Sequence, residues 1–206
     1  MKKDADNNSQ RPLPYGNCYA VVPGKFLAGE YPARFPPGWA STGSALHRGA
    51  LPPAADRAYR RLEEMLHYGV TDFVDLTREE EDLEPYEKAV KETAEKLKVE
   101  VRYKRFPIYD GSIPESQDQT RAILDLIDKR MEEGGCVYLH CRGGIGRTGT
   151  IVGCFLVRHG LDAVEALRKV ELHWRSTAKY DPYWTSPEND LQKSYVKGWL
   201  KKEGQR

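Results

Sequence analysis

A cysteine and an arginine stand six residues apart in a glycine-rich stretch, at Cys141 and Arg147. The stretch His140–Gly149 reads His-Cys-Arg-Gly-Gly-Ile-Gly-Arg-Thr-Gly. A cysteine that lies against backbone N–H groups and a guanidinium is stabilised as the thiolate, which is the nucleophilic form. The guanidinium can also bind two phosphate oxygens in a bidentate fork. This combination predicts phosphoryl transfer through a phosphocysteine, with Cys141 as the nucleophile and Arg147 as a phosphate ligand.

The segments around this stretch are those of an anion-binding loop. The apolar run 136–139 before it predicts a buried strand, and the apolar run 150–157 after it predicts a buried helix. A strand, a glycine-rich turn and a helix direct backbone N–H groups and the positive end of the helix dipole at an anion. No Gly-Lys-Ser/Thr follows the glycines, so the nucleotide-binding P-loop does not fit. We expect the phosphate to be bound by Arg142, Gly143, Gly144, Ile145, Gly146 and Arg147.

The pattern His-Cys-x5-Arg-Thr-Gly resembles the signature of the cysteine-dependent protein tyrosine and dual-specificity phosphatases, and every position of it is filled. The resemblance implies that His140 orients the loop through hydrogen bonds. It also implies that the hydroxyl of Thr148 bonds the sulfur and eases its departure from the phosphocysteine. The alternative is a cysteine that only packs beside a glycine turn. No cluster of His, Cys and Asp has the spacing of a metal site, and we expect no cofactor.

A leaving alkoxide or phenoxide needs a proton donor, and Asp110 is the first candidate. It lies in a Pro- and Gly-rich stretch, 106–114, directly after a predicted strand, where α/β sheets bind ligands. The stretch resembles the general-acid loop of these phosphatases, in which Pro-Ile-x-Asp precedes a proline. An ordinary turn aspartate is the alternative. Asp75, which also ends a predicted strand, is the second candidate.

Gln192 is a candidate for a supporting role. The stretch 185–192 resembles a C-terminal segment of some family members, in which a glutamine helps to orient the hydrolytic water. The match is short, and an exposed helix residue is an equal alternative.

Strands alternate with helices along the chain, which predicts an α/β fold. We expect a central, mostly parallel twisted sheet of about four to five strands flanked by helices, as in dual-specificity phosphatases. Pro23-Gly24, between two short apolar stretches, predicts an opening β-hairpin. Further strands are predicted at 70–76 and 99–106, and helices at 56–68, 85–98, 116–131, 162–170 and from 186. In the last helix we expect the inward-facing residues to be Leu191, Tyr195, Val196 and Trp199.

The length of 206 residues predicts one phosphatase domain, which we place at 15–203. The polar residues 1–14 lack the apolar centre of a signal peptide and predict a disordered tail. The segment 32–53 is rich in Pro, Gly, Ser and Ala, and it predicts a loop insertion. A surface insertion and a functional flap are its two interpretations.

The formal net charge of +1 gives no overall field that would favour nucleic acid or an anionic membrane. No apolar run approaches the roughly 20 residues of a membrane span.

Four cysteines do not make a disulfide framework, and a nucleophilic thiol favours a reducing compartment, so we expect a cytoplasmic protein. Cys136 and Cys154 are predicted core residues, and Cys18 is a candidate redox partner of Cys141 that no spacing places beside it.

The predicted reaction is hydrolysis of phosphomonoesters on proteins, with phosphotyrosine as the first class and phosphoserine or phosphothreonine as the second. The compact spacing from Asp110 to Cys141 resembles the dual-specificity branch. One alternative is an inositol-phosphate or phosphoinositide phosphatase, although Gly143 and Ile145 stand where such enzymes usually carry lysines. A second alternative is a pseudophosphatase that binds phosphorylated partners without turnover. A sulfurtransferase also uses a cysteine loop, but the Arg-Thr-Gly ending fits phosphate better.

Arg142 is the first of several basic residues that could bind additional phosphates. The others lie at predicted strand ends and could equally be solvated surface: Arg78, Lys104 and Arg105.

Overall fold

The computed structural model describes residues 12–33 and 54–203. The first eleven residues of the predicted tail and residues 34–53 of the predicted insertion lie outside the described residues. The proposed domain limits, 15–203, therefore stay a prediction.

The described residues form a five-stranded sheet, which confirms the predicted fold class. Its strand order is β1-β2-β5-β3-β4. The strands β2, β5, β3 and β4 run parallel, whereas β1 pairs with β2 as the predicted antiparallel hairpin. The strands are Cys18–Val22 (β1), Phe26–Gly29 (β2), Asp72–Asp75 (β3), Arg102–Arg105 (β4) and Val137–His140 (β5).

Helices cover both faces of this sheet. Among the described helices none is both long enough and apolar enough to cross a membrane. The helices are Ala54–Tyr68 (α1), Glu87–Leu97 (α2), Gln117–Glu132 (α3), Gly146–Arg158 (α4), Ala163–Arg175 (α5) and Asp190–Glu203 (α6).

The alternation of side chains along each strand divides the core into two clusters. Val137 and Leu139 of β5 pack with apolar residues of α3, α4, α5 and α6, whereas Tyr138 packs with those of α1 and α2. Helix α4 is buried over residues 146–157. Because it is enclosed by other elements, α4 gives the glycine-rich stretch at its start a rigid support.

Side-chain caps mark two of the predicted helix starts. The Ser116 hydroxyl accepts a hydrogen bond from the backbone N–H of Gln119, at 3.1 Å. The Asp162 carboxylate accepts from the backbone N–H groups of Val164 and Glu165, both at 2.9 Å. Ser, Thr, Asp and Asn satisfy the free N–H groups of a first helical turn in this way. These two starts were predicted correctly.

Three predicted boundaries are wrong. Helix α5 ends at Arg175 and not at 170, because Trp174, one turn after Val170, continues its buried face. Helix α4 begins at Gly146, four residues before the apolar run, because its first turn consists of glycine and polar residues that show no apolar periodicity. Helix α6 begins at Asp190 and turns Leu191 outward, with 54% of its surface exposed, while Gln192 is fully buried. The buried positions of α6 are therefore Gln192, Val196 and Trp199, at helical spacing.

Candidate active site

The ends of three parallel strands meet beneath the predicted phosphate loop. In the sheet register, His140 at the end of β5 pairs with Gly29 on one side and with Asp75 on the other. Cys141 follows directly, so the loop Cys141–Arg147, called the phosphate loop below, lies beyond the carboxyl ends of β2, β5 and β3. This is the edge at which open α/β sheets bind ligands.

The conformation of the phosphate loop depends on one glycine. Gly144 has φ of +73°, and a Cβ there would lie 2.4 Å from the carbonyl carbon of Gly29, so no side chain fits. The loop is also tied to the end of β2, because the Tyr31 backbone N–H donates to the Arg142 carbonyl at 3.1 Å. The Gly144 N–H donates to the Cys141 sulfur at 3.2 Å.

The Arg147 guanidinium is 1% exposed and is held by groups from two other loops. Its Nη1 and Nη2 donate to both oxygens of Glu81, and Nη1 also donates to the Ile108 carbonyl at 2.9 Å. Nη2 makes an ion pair with Asp110, at 2.8 Å, and Nε has no hydrogen-bond partner among the described residues. Burial opposes the charge, but the hydrogen bonds of Glu81 and the negative charges of Cys141, Glu81 and Asp110 together outweigh it, and the pKa of Arg147 is raised above its usual range.

Asp110 therefore reaches the phosphate loop, as the sequence predicts, although 61% of its side chain is exposed. The loop that carries it, 106–114, is called the acid loop below. Two side chains from the C-terminal segment bind its carbonyls: Asn189 donates to Gly111 at 2.8 Å and Gln192 donates to Ser112 at 3.0 Å. The acid loop is thus held on both sides, by Arg147 and by the start of α6.

His140 lies fully buried beneath the phosphate loop. Its Nδ1 is 3.2 Å from the Cys141 carbonyl and its Nε2 is 2.6 Å from the Tyr86 hydroxyl. A neutral ring fits both contacts, with Nδ1–H donating to the carbonyl and Nε2 accepting from the hydroxyl. Burial lowers the pKa of His140 despite the opposing charge of Asp75, so the ring is neutral near pH 7.

Comparison with known proteins places this arrangement in a family. A family model described as "Polymorphic toxin system, DSP-PTPase phosphatase" matches residues 49–161, more than half of the chain. The chain belongs to this phosphatase family. The matched range contains the phosphate loop and the acid loop, whereas the C-terminal segment with Gln192 lies outside it.

Two individual relatives are also named phosphatases. Protein 067L of Invertebrate iridescent virus 3, which is named a tyrosine phosphatase, is 28% identical over 149 residues, and the match covers 68% of this chain and 57% of the viral protein. The CDC14 homologue of Schizosaccharomyces pombe is 35% identical over 70 residues, covering 34% of this chain and 13% of the relative. The chain thus spans little more than half of the viral protein, and much less of the yeast one.

A solved structure supports the fold. The active form of Tk-PTP superposes with a TM-score of 0.64 at 23% identity, covering 90% of this chain and 97% of that one. Likeness at this level of identity shows a shared fold, that is, the sheet and its helices.

Asp75, the second candidate proton donor of this DSP-PTPase domain, is fully buried. Its carboxylate accepts hydrogen bonds from the backbone N–H and hydroxyl of Thr77, at 2.8 and 2.7 Å, and from the Tyr103 hydroxyl, at 2.6 Å. Burial raises the pKa of Asp75, but the neighbouring His140 ring and these hydrogen bonds outweigh burial and lower it. Asp75 therefore stays ionised, and its hydrogen bonds hold the ends of β3 and β4 together.

Thr148 and Gln192 are both buried, but they differ in their hydrogen bonds. The Thr148 hydroxyl is buried and makes no hydrogen bond within the described residues, so its predicted bond to sulfur is not formed here. Gln192 is buried, with its Oε1 accepting from the Glu188 N–H at 3.0 Å, which excludes the exposed-residue alternative. A Cβ on Gly146 would lie 2.9 Å from the Gln192 Nε2, so the amide lies against the phosphate loop.

Cys18 does not lie beside Cys141. It pairs with Gly29, which pairs with His140, so two strand spacings of about 4.8 Å separate Cys18 from the residue before Cys141. A disulfide needs Cα atoms within about 7 Å. Burial also raises the pKa of Cys18 to about 12, so this thiol is unreactive and does not fit a redox partner. Cys136 and Cys154 are buried, as predicted.

The predicted additional cations differ in their surroundings. Arg105 pairs with Asp75 and Glu79, at 3.4 and 3.2 Å, which fits a structural role. The Arg78 guanidinium lies 3.7 Å from the ring centre of Tyr109, the exposed residue before Asp110, and therefore borders the acid loop. In the part of the chain that the structure describes, no three His, Cys, Asp or Glu side chains form a group that could hold a metal ion.

Three residues of the site were missed by sequence reasoning: Glu81, Glu188 and Lys179. Glu81 stands in an acidic run after β3, Glu79–Asp82, in which no spacing distinguishes one carboxylate from the next. The Lys179 amine lies 4.0 Å from the position of a Cβ on Gly143 and pairs with the buried Glu30 at 3.1 Å. Only the folded arrangement brings these side chains to the phosphate loop.

Proposed function

We propose that this phosphatase hydrolyses phosphomonoesters on proteins through a phosphocysteine at Cys141. Phosphotyrosine is the first substrate class, and phosphoserine or phosphothreonine is the second. The observation that carries the proposal is the placement of one sulfur and one guanidinium on a single loop, with the Gly144 N–H donating to the sulfur. Names of the relatives, which are tyrosine and dual-specificity phosphatases, support the substrate class.

The contacts of Arg147 indicate how the phosphate is bound. Glu81 binds the end of the guanidinium formed by Nη1 and Nη2, and Asp110 takes the remaining direction of Nη2. Nε is without a hydrogen-bond partner in the part of the chain that the structure describes. Nε and Nη2 form the side edge that matches two phosphate oxygens. A phosphate bound there displaces the Asp110 carboxylate and receives the N–H groups of the phosphate loop on its other oxygens.

Two steps then complete the reaction. The Cys141 sulfur attacks phosphorus, the bond from phosphorus to the leaving oxygen breaks, and Asp110 gives its proton to that oxygen. A water then attacks the phosphocysteine while the Asp110 carboxylate takes a proton from it, and the sulfur–phosphorus bond breaks. We assign the orientation of this water to Gln192 and stabilisation of the departing thiolate to the Thr148 hydroxyl.

The alternatives are less well supported. A substrate with several phosphates needs unpaired cations around the loop, but Lys179 pairs with Glu30 and Arg105 pairs with Asp75. A pseudophosphatase that only binds phosphate requires no proton donor. In this chain the candidate donor, Asp110, lies 2.8 Å from the proposed phosphate ligand Arg147, which favours an enzyme. We also propose a cytoplasmic location, because oxidation of the Cys141 thiolate would end the reaction.

Hydrolysis of an aryl phosphate, with EDTA present, tests the proposal. We expect Cys141→Ser to lose nearly all turnover and Asp110→Asn to lose about 100-fold, the usual contribution of a general acid. Full activity of the serine variant would refute the nucleophile. An inactive wild-type enzyme that still binds phosphopeptide would favour the pseudophosphatase.

A further inference from the structure

Exposed aromatic residues are concentrated on the two segments that bind the phosphate loop. Five aromatic side chains are exposed among the described residues, and one of them, Tyr109, belongs to the acid loop. Three more stand together in the connection between α5 and α6: Tyr180, Tyr183 and Trp184. Single exposed aromatic residues are ordinary, whereas a cluster of them indicates a surface for a partner. The range 180–184 is called the aromatic segment below.

Contacts on both sides of the aromatic segment hold it at the phosphate loop. Before it, the Lys179 amine lies 4.0 Å from the position that a Cβ on Gly143 would occupy. After it, the Ser186 hydroxyl donates to the Ile145 carbonyl at 2.8 Å. Consecutive Cα atoms are about 3.8 Å apart, so the Cα of Trp184 lies within about 7.6 Å of that of Ser186. The aromatic segment therefore borders the phosphate loop, within reach of substrate residues next to the phosphorylated one.

A turn at Asp181 gives the aromatic segment a defined conformation. The Tyr183 backbone N–H donates to the Asp181 carboxylate at 2.9 Å, and the Trp184 backbone N–H donates to the Asp181 carbonyl at 3.0 Å. The Trp184 carbonyl accepts from the indole N–H of Trp174 at 3.3 Å, which fixes the turn to α5. The backbone is thus held, whereas Tyr183 is 93% exposed and Trp184 is 48% exposed. A surface that is ordered in advance loses less conformational entropy when a partner binds.

Charge distinguishes a protein from a membrane as the partner. Tyr and Trp also occur at membrane interfaces, but attraction to anionic lipid needs free cations. The cations on either side of the aromatic segment are paired, Lys179 with the buried Glu30 at 3.1 Å and Arg175 with Glu171 at 2.9 Å. Asp181 adds a negative charge within the segment. Exposed Tyr and Trp side chains bind the apolar and aromatic side chains of other proteins, which favours a protein as the partner.

We propose that Tyr183 and Trp184 form a docking surface for the protein substrate, which binds apolar or aromatic side chains that flank the phosphorylated residue. The inference rests on the proposed function, because the docked protein is the one whose phosphate enters the phosphate loop. Its consequence is a sequence preference: substrates with apolar residues beside the phosphorylated one bind more tightly than those with small polar residues there. A small phosphomonoester carries no flanking residues and does not use the surface.

Two phosphotyrosine peptides of equal length and charge test the proposal, one with Leu and Phe beside the phosphotyrosine and one with Ser and Gly there. We expect the wild-type kcat/KM to be about tenfold higher for the apolar peptide, which is the effect of a good aromatic contact. The double variant Tyr183→Ser, Trp184→Ser should hydrolyse the two peptides equally. Because both residues are exposed, its kcat/KM for phenyl phosphate should stay within about twofold of the wild-type value.

The matched control is Tyr59→Ser, which removes an exposed aromatic residue from α1 and should keep the wild-type preference. A wild type without a preference would overturn the proposal, as would a double variant that keeps it. Equal losses of the double variant on both peptides and on phenyl phosphate would indicate a structural role and also overturn it. If Cys141→Ser keeps its activity, or the wild type hydrolyses neither the peptides nor phenyl phosphate, the proposed function itself has failed.

Other partners of the aromatic segment are tested directly. Sedimentation with vesicles of phosphatidylcholine and phosphatidylserine tests a membrane, and size-exclusion chromatography tests a second copy of this chain. We expect the wild type and the double variant to behave alike in both measurements. Vesicle binding or dimer formation that the double variant loses would assign the surface to that partner and overturn the proposal.

Discussion

Glu81 binds the guanidinium of Arg147 through both carboxylate oxygens, so the phosphate ligand of the loop is held by a residue 66 positions earlier. Glu81 is itself fixed, because its Oε1 accepts from the Arg78 backbone N–H at 2.8 Å. A bidentate pair restrains both the position and the plane of a guanidinium. The edge formed by Nε and Nη2 is thereby directed at the phosphate before any substrate arrives.

We predict that Glu81→Gln lowers kcat/KM for aryl phosphates by about 10- to 100-fold, because a misplaced catalytic group costs that much. The same change should lower the free energy of unfolding by about 1–3 kcal/mol, since it leaves part of a buried charge without its partner. Steady-state kinetics and urea unfolding measure the two effects. Glu80→Gln is the control, because Glu80 is exposed and pairs with Arg78 instead. Unchanged kinetics in Glu81→Gln would contradict the assignment.

Asp110 occupies the direction of Nη2 that a phosphate needs, and the two anions therefore compete. We predict that Asp110→Asn binds inorganic phosphate more tightly than the parent, by up to about tenfold, which corresponds to 1.4 kcal/mol. Calorimetric titration measures the affinity of each protein for inorganic phosphate. Both proteins carry Cys141→Ser so that no turnover occurs. Asp118→Asn, an exposed carboxylate paired with Arg121, should change nothing. Weaker binding by Asp110→Asn would show that the ion pair does not oppose the anion.

The parts of this site that sequence could predict are those encoded by neighbouring residues. The phosphate loop is continuous in the chain, and its cysteine, glycines and arginine recur at fixed offsets, so its chemistry follows from ten residues. The strand that precedes it and the helix that follows it are apolar enough to be predicted as well. Asp110 could be proposed because its loop follows a strand and carries a recognisable pattern.

The parts that sequence could not predict depend on contacts between distant segments. Glu81 is one of several acidic residues in a row, and only the position of Arg147 selects it. Glu188 shows no pattern of its own, because the space that it fills is created by Gly146. Leu191 was expected to be buried because it is apolar, whereas the structure buries Gln192, whose amide is hydrogen-bonded to the backbone of Glu188 and Ser112.

The buried amide of Gln192 joins the acid loop to the phosphate loop, and its loss should affect the second chemical step most. We predict that Gln192→Ala lowers kcat about tenfold or more while kcat/KM falls less, because water attack on the phosphocysteine becomes limiting. Rapid-mixing kinetics should show a burst of phenol followed by a slow phase. Leu191→Ala, its exposed neighbour, is the control. A Gln192→Ala variant without a burst, and with kcat and kcat/KM reduced equally, would remove Gln192 from that step.

A histidine outside the site should make stability depend on pH. His173 of α5 stacks on Tyr19 with ring centres 5.0 Å apart, and its Nε2 is buried without a hydrogen-bond partner in residues 12–33 and 54–203. Burial, and then the charge of Lys169, lower the pKa of His173 to about 4. Because this value lies below that of the unfolded chain, about 6.5, the unfolded state binds more protons between the two. The stability is complete above pH 6.5 and is lost as the pH falls towards 4.

His173→Phe keeps an aromatic ring against Tyr19 but cannot take up a proton. We therefore predict that, between pH 6.5 and 4, the wild type loses about 1–3 kcal/mol more of its free energy of unfolding than this variant does. Urea unfolding at a series of pH values measures the difference. His67→Gln, a change at an exposed histidine of α1, should leave the wild-type slope unchanged. Parallel curves for the wild type and His173→Phe would mean that His173 does not titrate in the folded state within this range, and that carboxylates alone account for the acid sensitivity.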